Sequence, residues 1–219
     1  MIKKLKFKLI ICSLITLIPS LFGVCVWNKL PEKMPIHWDI NGAVDSFAPK
    51  AVAVFLPPLL LLAVFWICIL VEAKIGKNGE IQNKKAFGLV LFLLPAISVV
   101  LNAFVYSTAL GVKISLRFVL PFLMGGMLMI IGNYMPKCRQ NKTLGIKIKW
   151  TLENEENWNA THRFAGKVWF VGGFVTMLCV LLPERIFGYF TLGTVLIFVL
   201  IPAFYSYIYH KKQLKGDNR

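Results

Sequence analysis

Residues 86–110 read AFGLVLFLLPAISVVLNAFVYSTAL, 25 consecutive residues without a charged side chain. A helix needs about 20 residues to cross the roughly 30 Å hydrocarbon core of a bilayer, so this stretch is long enough to span it. Other charge-poor stretches lie at residues 9–27, 51–71, 114–135, 168–182 and 186–209. The sequence therefore predicts an all-α, polytopic membrane protein with six transmembrane helices.

The composition supports the same fold class. Of the 219 residues, 57% are hydrophobic and 16% are charged, whereas soluble domains have about 25% charged residues. This excludes a soluble globular domain. A porin-like barrel is also excluded, because its strands alternate apolar and polar residues and these stretches are continuously apolar.

The 25 basic residues are unevenly distributed between the two sides of the predicted membrane. Nineteen lie before the first span, in the second and fourth connections and in the tail, and six lie in the other connections. The positive-inside rule then predicts that both termini are cytoplasmic, in a multi-pass protein of the bacterial plasma membrane. Membrane topology also explains the net charge of +15, so we predict no nucleic-acid binding.

Every span except the fifth contains an internal proline. Proline removes one backbone hydrogen bond, and in lipid the freed carbonyl must be met by a neighbouring helix or a hydroxyl group. The sequence therefore predicts a kinked bundle. The fifth run has only 15 apolar residues, so we expect its helix to begin earlier, along the face that contains Trp158, His162, Ala165 and Trp169.

Polar and small side chains within the spans predict helix contacts. Ser98, Asn102 and Tyr106 share one helical face, which indicates hydrogen bonds between helices. A transporter site is the alternative for this face, and the proline kinks are its other support. Close-packing positions are expected at Gly125, Gly126, Gly132, Gly172 and Gly173.

The first outer loop, residues 28–50, has the sequence NKLPEKMPIHWDINGAVDSFAPK. Asn41-Gly42 is a strong turn signal. We interpret the loop as a folded cap with Trp38 and Phe47 against the bilayer surface. The alternative is a metal site made by His37, Asp39 and Asp45, since imidazole and carboxylates bind zinc or manganese, but the cap is preferred and no metal is predicted.

The fourth connection, residues 136–167, is called the cytoplasmic segment here. Basic residues from Lys137 to Lys149 are followed by three glutamates. Thr151 is predicted to be the N-cap of the helix that contains these glutamates. Trp150, Leu152 and Trp158 are apolar in a polar context, so they are expected either to pack on the bundle or bilayer or to bind a protein partner.

Two groups of residues form motifs. The first lies in the outer loop and comprises Leu30, Pro31, Pro35, His37, Trp38, Gly42, Asp45 and Lys50. The second comprises Gly132-Asn133, Pro136, Asn141, residues 145–152, Trp158, Thr161-His162-Arg163 and Ala165-Gly166-Lys167. With these motifs, nearly the whole chain resembles the SdpI-type (SdpI/YfhL) family of bacterial toxin-immunity membrane proteins, with a DUF1648-like amino-terminal module.

The resemblance implies two modules. Residues 1–85 would hold two transmembrane helices and the outer loop, and residues 86–219 would hold four transmembrane helices and the cytoplasmic segment. Family members protect the producing cell from a secreted, membrane-active peptide toxin of the SDP type. Some also act as receptors that hold an ArsR-type repressor at the membrane.

The resemblance also implies the site residues. Candidates for toxin binding in the outer loop are His37, Trp38, Gly42 and Asp45. The cytoplasmic motif comprises Asn141, Gly145, Lys147, Trp150, Thr151, Leu152, Trp158, His162 and Arg163.

This chain departs from the family pattern at three positions of the cytoplasmic motif. Lys147 replaces the usual arginine, and Ile148-Lys149 replaces the usual Thr-Pro pair. Lysine lacks the planar fork with which arginine binds carboxylate or phosphate, so the identity of the cytoplasmic partner stays open.

The leading hypothesis from the sequence is a non-enzymatic immunity protein that binds a hydrophobic peptide toxin in the bilayer or at its outer face. A signalling receptor and a small-molecule transporter are the alternatives. An enzyme is disfavoured because no nucleophile and base are paired on a water-facing site. No cofactor is predicted.

Overall fold

The computed structural model describes residues 2–75, 84–112, 114–142 and 144–217. Six of its helices are long and apolar enough to cross a membrane, which confirms the predicted fold class. In chain order, the helices are α1 (Ile2–Cys25), α2 (Lys50–Ile75), α3 (Lys84–Ala109), α4 (Leu116–Tyr134), the short α5 (Lys149–Glu153), α6 (Glu155–Leu178) and α7 (Glu184–Asp217).

The helices form two compact units, the first built from residues 1–82 and 87–119 and the second from residues 83–86 and 120–219. The first unit therefore contains almost all of α3 together with α1 and α2. The division into modules at residues 85 and 86, which the family resemblance implies, stays a prediction about the sequence modules.

A two-stranded antiparallel sheet joins α1 to α2 in the first unit. Its strands are β1 (Lys33–Trp38) and β2 (Val44–Pro49), and we call residues 33–49 the outer hairpin. Met34 pairs with Ala48 and Trp38 pairs with Val44, and the register is irregular on both sides of His37. The predicted turn is present, with Gly42 at a φ of 86°.

A proline-freed carbonyl is met by a hydroxyl group, as the sequence predicts. Pro58 lies inside α2 and has no N–H to donate to the carbonyl of Val54, four residues earlier. The Ser20 hydroxyl of α1 donates to this Val54 oxygen at 3.0 Å, and the bond is buried. The proline-containing turn of α2 is thereby tied to α1.

The predicted polar face of α3 packs against α1. The Ser98 hydroxyl donates to the Thr16 carbonyl at 2.8 Å, and the Tyr106 hydroxyl donates to the Pro19 carbonyl at 2.8 Å. Asn102 is 1% exposed, and its amide donates within α3 to the Ser98 carbonyl. The prediction of interhelical hydrogen bonds is confirmed for Ser98 and Tyr106.

Glycines allow close contact between α4 and α6 in the second unit. A Cβ atom on Gly125 would overlap the carbonyl oxygen of Gly173, and one on Gly132 would lie 2.7 Å from the backbone nitrogen of Phe170. Gly172 has the same role against Phe198 of α7. These predicted close-packing sites are confirmed, whereas Gly126 has only an ordinary contact at 3.5 Å.

Helix α6 begins at Glu155, well before its apolar run, which confirms that the fifth span is extended at its amino-terminal end. The N-cap prediction for Thr151 is wrong. Asn154 is the cap, because its side-chain oxygen accepts a hydrogen bond from the backbone N–H of Asn157 at 2.7 Å. Thr151 lies inside α5. This helix ends at Glu153, the residue directly before Asn154.

Candidate functional site

His37 and Asp45 form the polar centre of the outer hairpin. His37 Nδ1 lies 2.6 Å from Asp45 Oδ1, and the two side chains are 68% and 44% exposed. They come from opposite strands beside the irregular register at His37. The pair therefore links β1 to β2 while the rest of the imidazole stays accessible.

Asp39 does not join this pair. Its Oδ1 atom accepts hydrogen bonds from the backbone N–H groups of Asn41 and Ala43, at 2.9 and 2.8 Å. The carboxylate thus stabilises the turn that Gly42 permits. Within the described part of the chain, no group of three or more His, Cys, Asp or Glu side chains is placed to hold a metal ion.

Trp38 and Phe47 have different surroundings. The Trp38 ring packs on Phe104 of α3, with ring centroids 4.8 Å apart. Phe47 is 57% exposed on β2. Trp38 thus helps to attach the hairpin to the helices, and Phe47 is available for contact with the surroundings.

The cytoplasmic motif is organised around Trp158 and His162, which lie one turn apart on α6. Their rings stack with centroids 4.0 Å apart, and the two residues are 0% and 1% exposed. His162 Nε2 accepts the backbone N–H of Ile146 at 3.0 Å, and Nδ1 lies 2.8 Å from the Trp158 carbonyl. Nδ1 therefore carries the proton, and both nitrogens of the neutral ring are hydrogen-bonded.

Gly145 is the residue that lets the chain pass over this stacked pair. Its φ is +120°, in a region that side chains rarely adopt. A Cβ atom there would lie 2.5 Å from His162 Nε2 and 2.8 Å from the Trp158 ring. Glycine is therefore needed for two reasons, the backbone conformation and the lack of space.

Asn141 and Trp158 fix the preceding part of the cytoplasmic segment. The Asn141 amide donates to the Arg139 carbonyl at 2.7 Å and its oxygen accepts the Leu144 N–H at 2.7 Å. Trp158 Nε1 donates to the Cys138 carbonyl at 2.7 Å. The Asn141 bonds fix the local conformation, and the Trp158 bond attaches Cys138 to the start of α6.

Thr151 closes the following turn. It is 0% exposed, and its hydroxyl lies 2.8 Å from the carbonyls of both Ile146 and Ile148 while it accepts the N–H of Ile148 at 3.1 Å. The Gln140 side chain donates to the Thr151 carbonyl at 2.8 Å. Thr151 is thus a structural centre of the segment instead of a helix cap.

Helix α7 supports the same segment through contacts that the sequence did not indicate. Trp150 stacks on His210 at 5.7 Å and also contacts Tyr207. The Asn157 side-chain oxygen accepts the Ser206 hydroxyl at 2.6 Å, and its amide donates to the Ser206 carbonyl at 3.1 Å. Asn157 and Ser206 are 49 positions apart, and no local sequence pattern pairs them.

The cytoplasmic motif is thus divided into an inner and an outer set. Its buried or half-buried members form one connected structure, comprising Asn141, Gly145, Trp150, Thr151, Trp158 and His162. Its exposed members are Lys147, Leu152 and Arg163.

The fold and this segment define a class of protein, a multi-pass membrane protein with a structured segment where its fourth span leads into its fifth. Residues 137–206 match the model of the SdpI/YfhL protein family, and residues 14–62 match a domain of unknown function, DUF1648. These matches confirm the resemblance to the SdpI-type family.

A curated relative covers nearly the whole chain. The protein is 26% identical over 205 residues to the Immunity protein SdpI of Bacillus subtilis (strain 168), which is 94% of this chain and 97% of the relative. No solved structure matches the chain.

Proposed function

We propose that this protein is an immunity protein that protects the cell against a secreted, hydrophobic antimicrobial peptide of the SDP type. The observation that carries the proposal is the similarity to the Immunity protein SdpI along almost the full length of both chains. The presence of six helices able to span a membrane supports an action within or at the bilayer.

The outer hairpin is the proposed place of toxin capture. Support comes from the accessible His37–Asp45 pair and from the shape that Gly42 and Trp38 give the hairpin. An imidazole and a carboxylate at the membrane surface can hydrogen-bond to the polar groups of a peptide that is otherwise in lipid. The buried members of the cytoplasmic motif have a structural part in this proposal, since they stabilise the second unit.

The direct test is protection of a sensitive strain. Cells that express the protein are challenged with SDP-type peptide and their survival is compared with that of cells carrying an empty vector. We expect survival only with the protein, and equal killing would refute immunity. His37→Ala and Asp45→Ala should lower survival at unchanged membrane abundance, whereas the nearby exposed Ala43→Ser should not.

A signalling receptor that recruits an ArsR-type repressor is the second candidate. Trp150 and Trp158 give it little support, because the first is stacked on α7 and the second is fully buried. Leu152 supports it, because this apolar side chain is 42% exposed on α5.

Recruitment can be measured with a fluorescently tagged ArsR-type protein in cells exposed to peptide. If the receptor proposal holds, Leu152→Ala abolishes membrane recruitment at unchanged abundance of the membrane protein, and the neighbouring exposed Glu153→Ala does not. If Leu152→Ala leaves recruitment unchanged, Leu152 no longer supports the receptor function.

A further inference from the structure

The outer hairpin is attached to spanning helices at both of its ends. At its base, β2 continues directly into α2, and the N–H of Lys50 donates to the Glu32 carbonyl at 2.9 Å. At its far end, Trp38 packs on Phe104, which lies five residues before the end of α3. Five helical residues rise about 7.5 Å, so this contact lies below the outer end of the helix. The hairpin is therefore held to the helices at both ends.

Some apolar side chains of this region pack on the helices and others are exposed. Leu30 and Met34 are 4% and 0% exposed and form a cluster with residues of α2 and α3. Phe47 and Ile36, in contrast, are 57% and 44% exposed. Phe47 precedes α2 by three residues, which places it within about 10 Å of the first residue of that spanning helix.

We propose that Phe47 and Ile36 insert into the boundary between headgroups and acyl chains of the outer leaflet, so that the outer hairpin is a lipid-contacting anchor. Large apolar side chains at this depth are buried by lipid, which is favourable in proportion to their area. Val52 and Phe55, 42% and 37% exposed, are further exposed apolar side chains in the first turns of α2.

Lipid fits this surface better than an added peptide strand. Pro35 in β1 and Pro49 in β2 have no N–H group to donate to a third strand. The His37–Asp45 pair is polar and accessible, which suits the hydrated headgroup layer. A toxin that meets this pair would then do so within the membrane interface and not in bulk water, although the anchor itself does not depend on immunity.

The anchor can be tested by thiol labelling in nanodiscs made of phosphatidylethanolamine and phosphatidylglycerol. Phe47→Cys and Ile36→Cys are compared with Ala43→Cys, an exposed position in the turn, using a charged, membrane-impermeant maleimide. Mass spectrometry reads the introduced cysteine separately from the five native ones. We expect positions 47 and 36 to react at least about tenfold more slowly than position 43, because charged reagents enter the apolar layer poorly.

Equal labelling rates at the three positions would overturn the proposal. Fast labelling of Phe47→Cys that slows only when an amphipathic peptide is added would also overturn it. The surface would then bind a peptide and not lipid. A second measurement uses tryptophan fluorescence, so that position 47 keeps an aromatic ring. The chain has six native tryptophans, so the signal of the introduced one is obtained by subtracting the fluorescence of the unsubstituted protein. The added signal of Phe47→Trp should be quenched more by brominated lipid than that of Ala43→Trp, and less by acrylamide. Equal quenching of the two added signals would contradict the anchor.

Discussion

Gly145→Ala should destabilise the second unit strongly. The φ of +120° is unfavourable for alanine by about 1–3 kcal/mol. The added Cβ atom would lie 2.5 Å from His162 Nε2. This contact would break the hydrogen bond that Nε2 accepts from the Ile146 N–H. An unpaired buried polar group costs about 1–3 kcal/mol more, so the total loss is at least about 2 kcal/mol.

The loss can be measured by reversible SDS titration of the purified protein in mixed micelles. Gly193→Ala is the matched control, because this glycine lies in α7 of the same unit and an added Cβ there meets nothing within 4 Å. Alanine is favoured over glycine in a helix by about 1 kcal/mol, so the control should be neutral or stabilising. Equal stability of the two variants would refute the role assigned to Gly145.

Three further results are expected from the same titration. Ser20→Ala should cost about 1–3 kcal/mol because it leaves a proline-freed carbonyl unmet, whereas Ser13→Ala removes a buried hydroxyl without a hydrogen-bond partner and should cost less. Asn157→Ala and Ser206→Ala should be non-additive by at least about 0.5 kcal/mol in a double-mutant cycle, and strict additivity would contradict the bonds between them. Lys149→Pro should be tolerated or stabilising by up to about 1 kcal/mol, and a clear loss of stability would contradict its assigned position in α5.

The spans and the local helix faces could be predicted because lipid imposes rules that depend on nearby residues alone. A long apolar run without charge has to form a helix, and side chains four residues apart share one face. Ser98 and Tyr106 follow these rules. Their partners on α1 do not follow from these rules, since the facing helix cannot be identified from the α3 sequence.

The internal structure of the cytoplasmic segment depends on contacts between residues far apart in sequence. Asn157 and Ser206 are separated by 49 positions, and no local pattern indicates that they meet. The sequence alone favours Thr151 as the cap, because threonine before glutamates is a typical helix start. Asn154 is an equally good cap by residue type and lies directly before the helix.

The geometry of α5 explains how two of the three departures from the pattern that the resemblance implies are accommodated. Ile148 stands at the N-cap position with φ −113° and ψ 160° and provides no side-chain cap, whereas the usual threonine could supply one. Lys149 is the first residue of α5, where proline is favoured because its missing N–H has no partner within the helix. The extended conformation of Ile148 is also the one that a following proline requires. The usual Thr-Pro pair would therefore start α5 in the same conformation, and this chain keeps that conformation through Thr151, whose hydroxyl binds the Ile148 N–H.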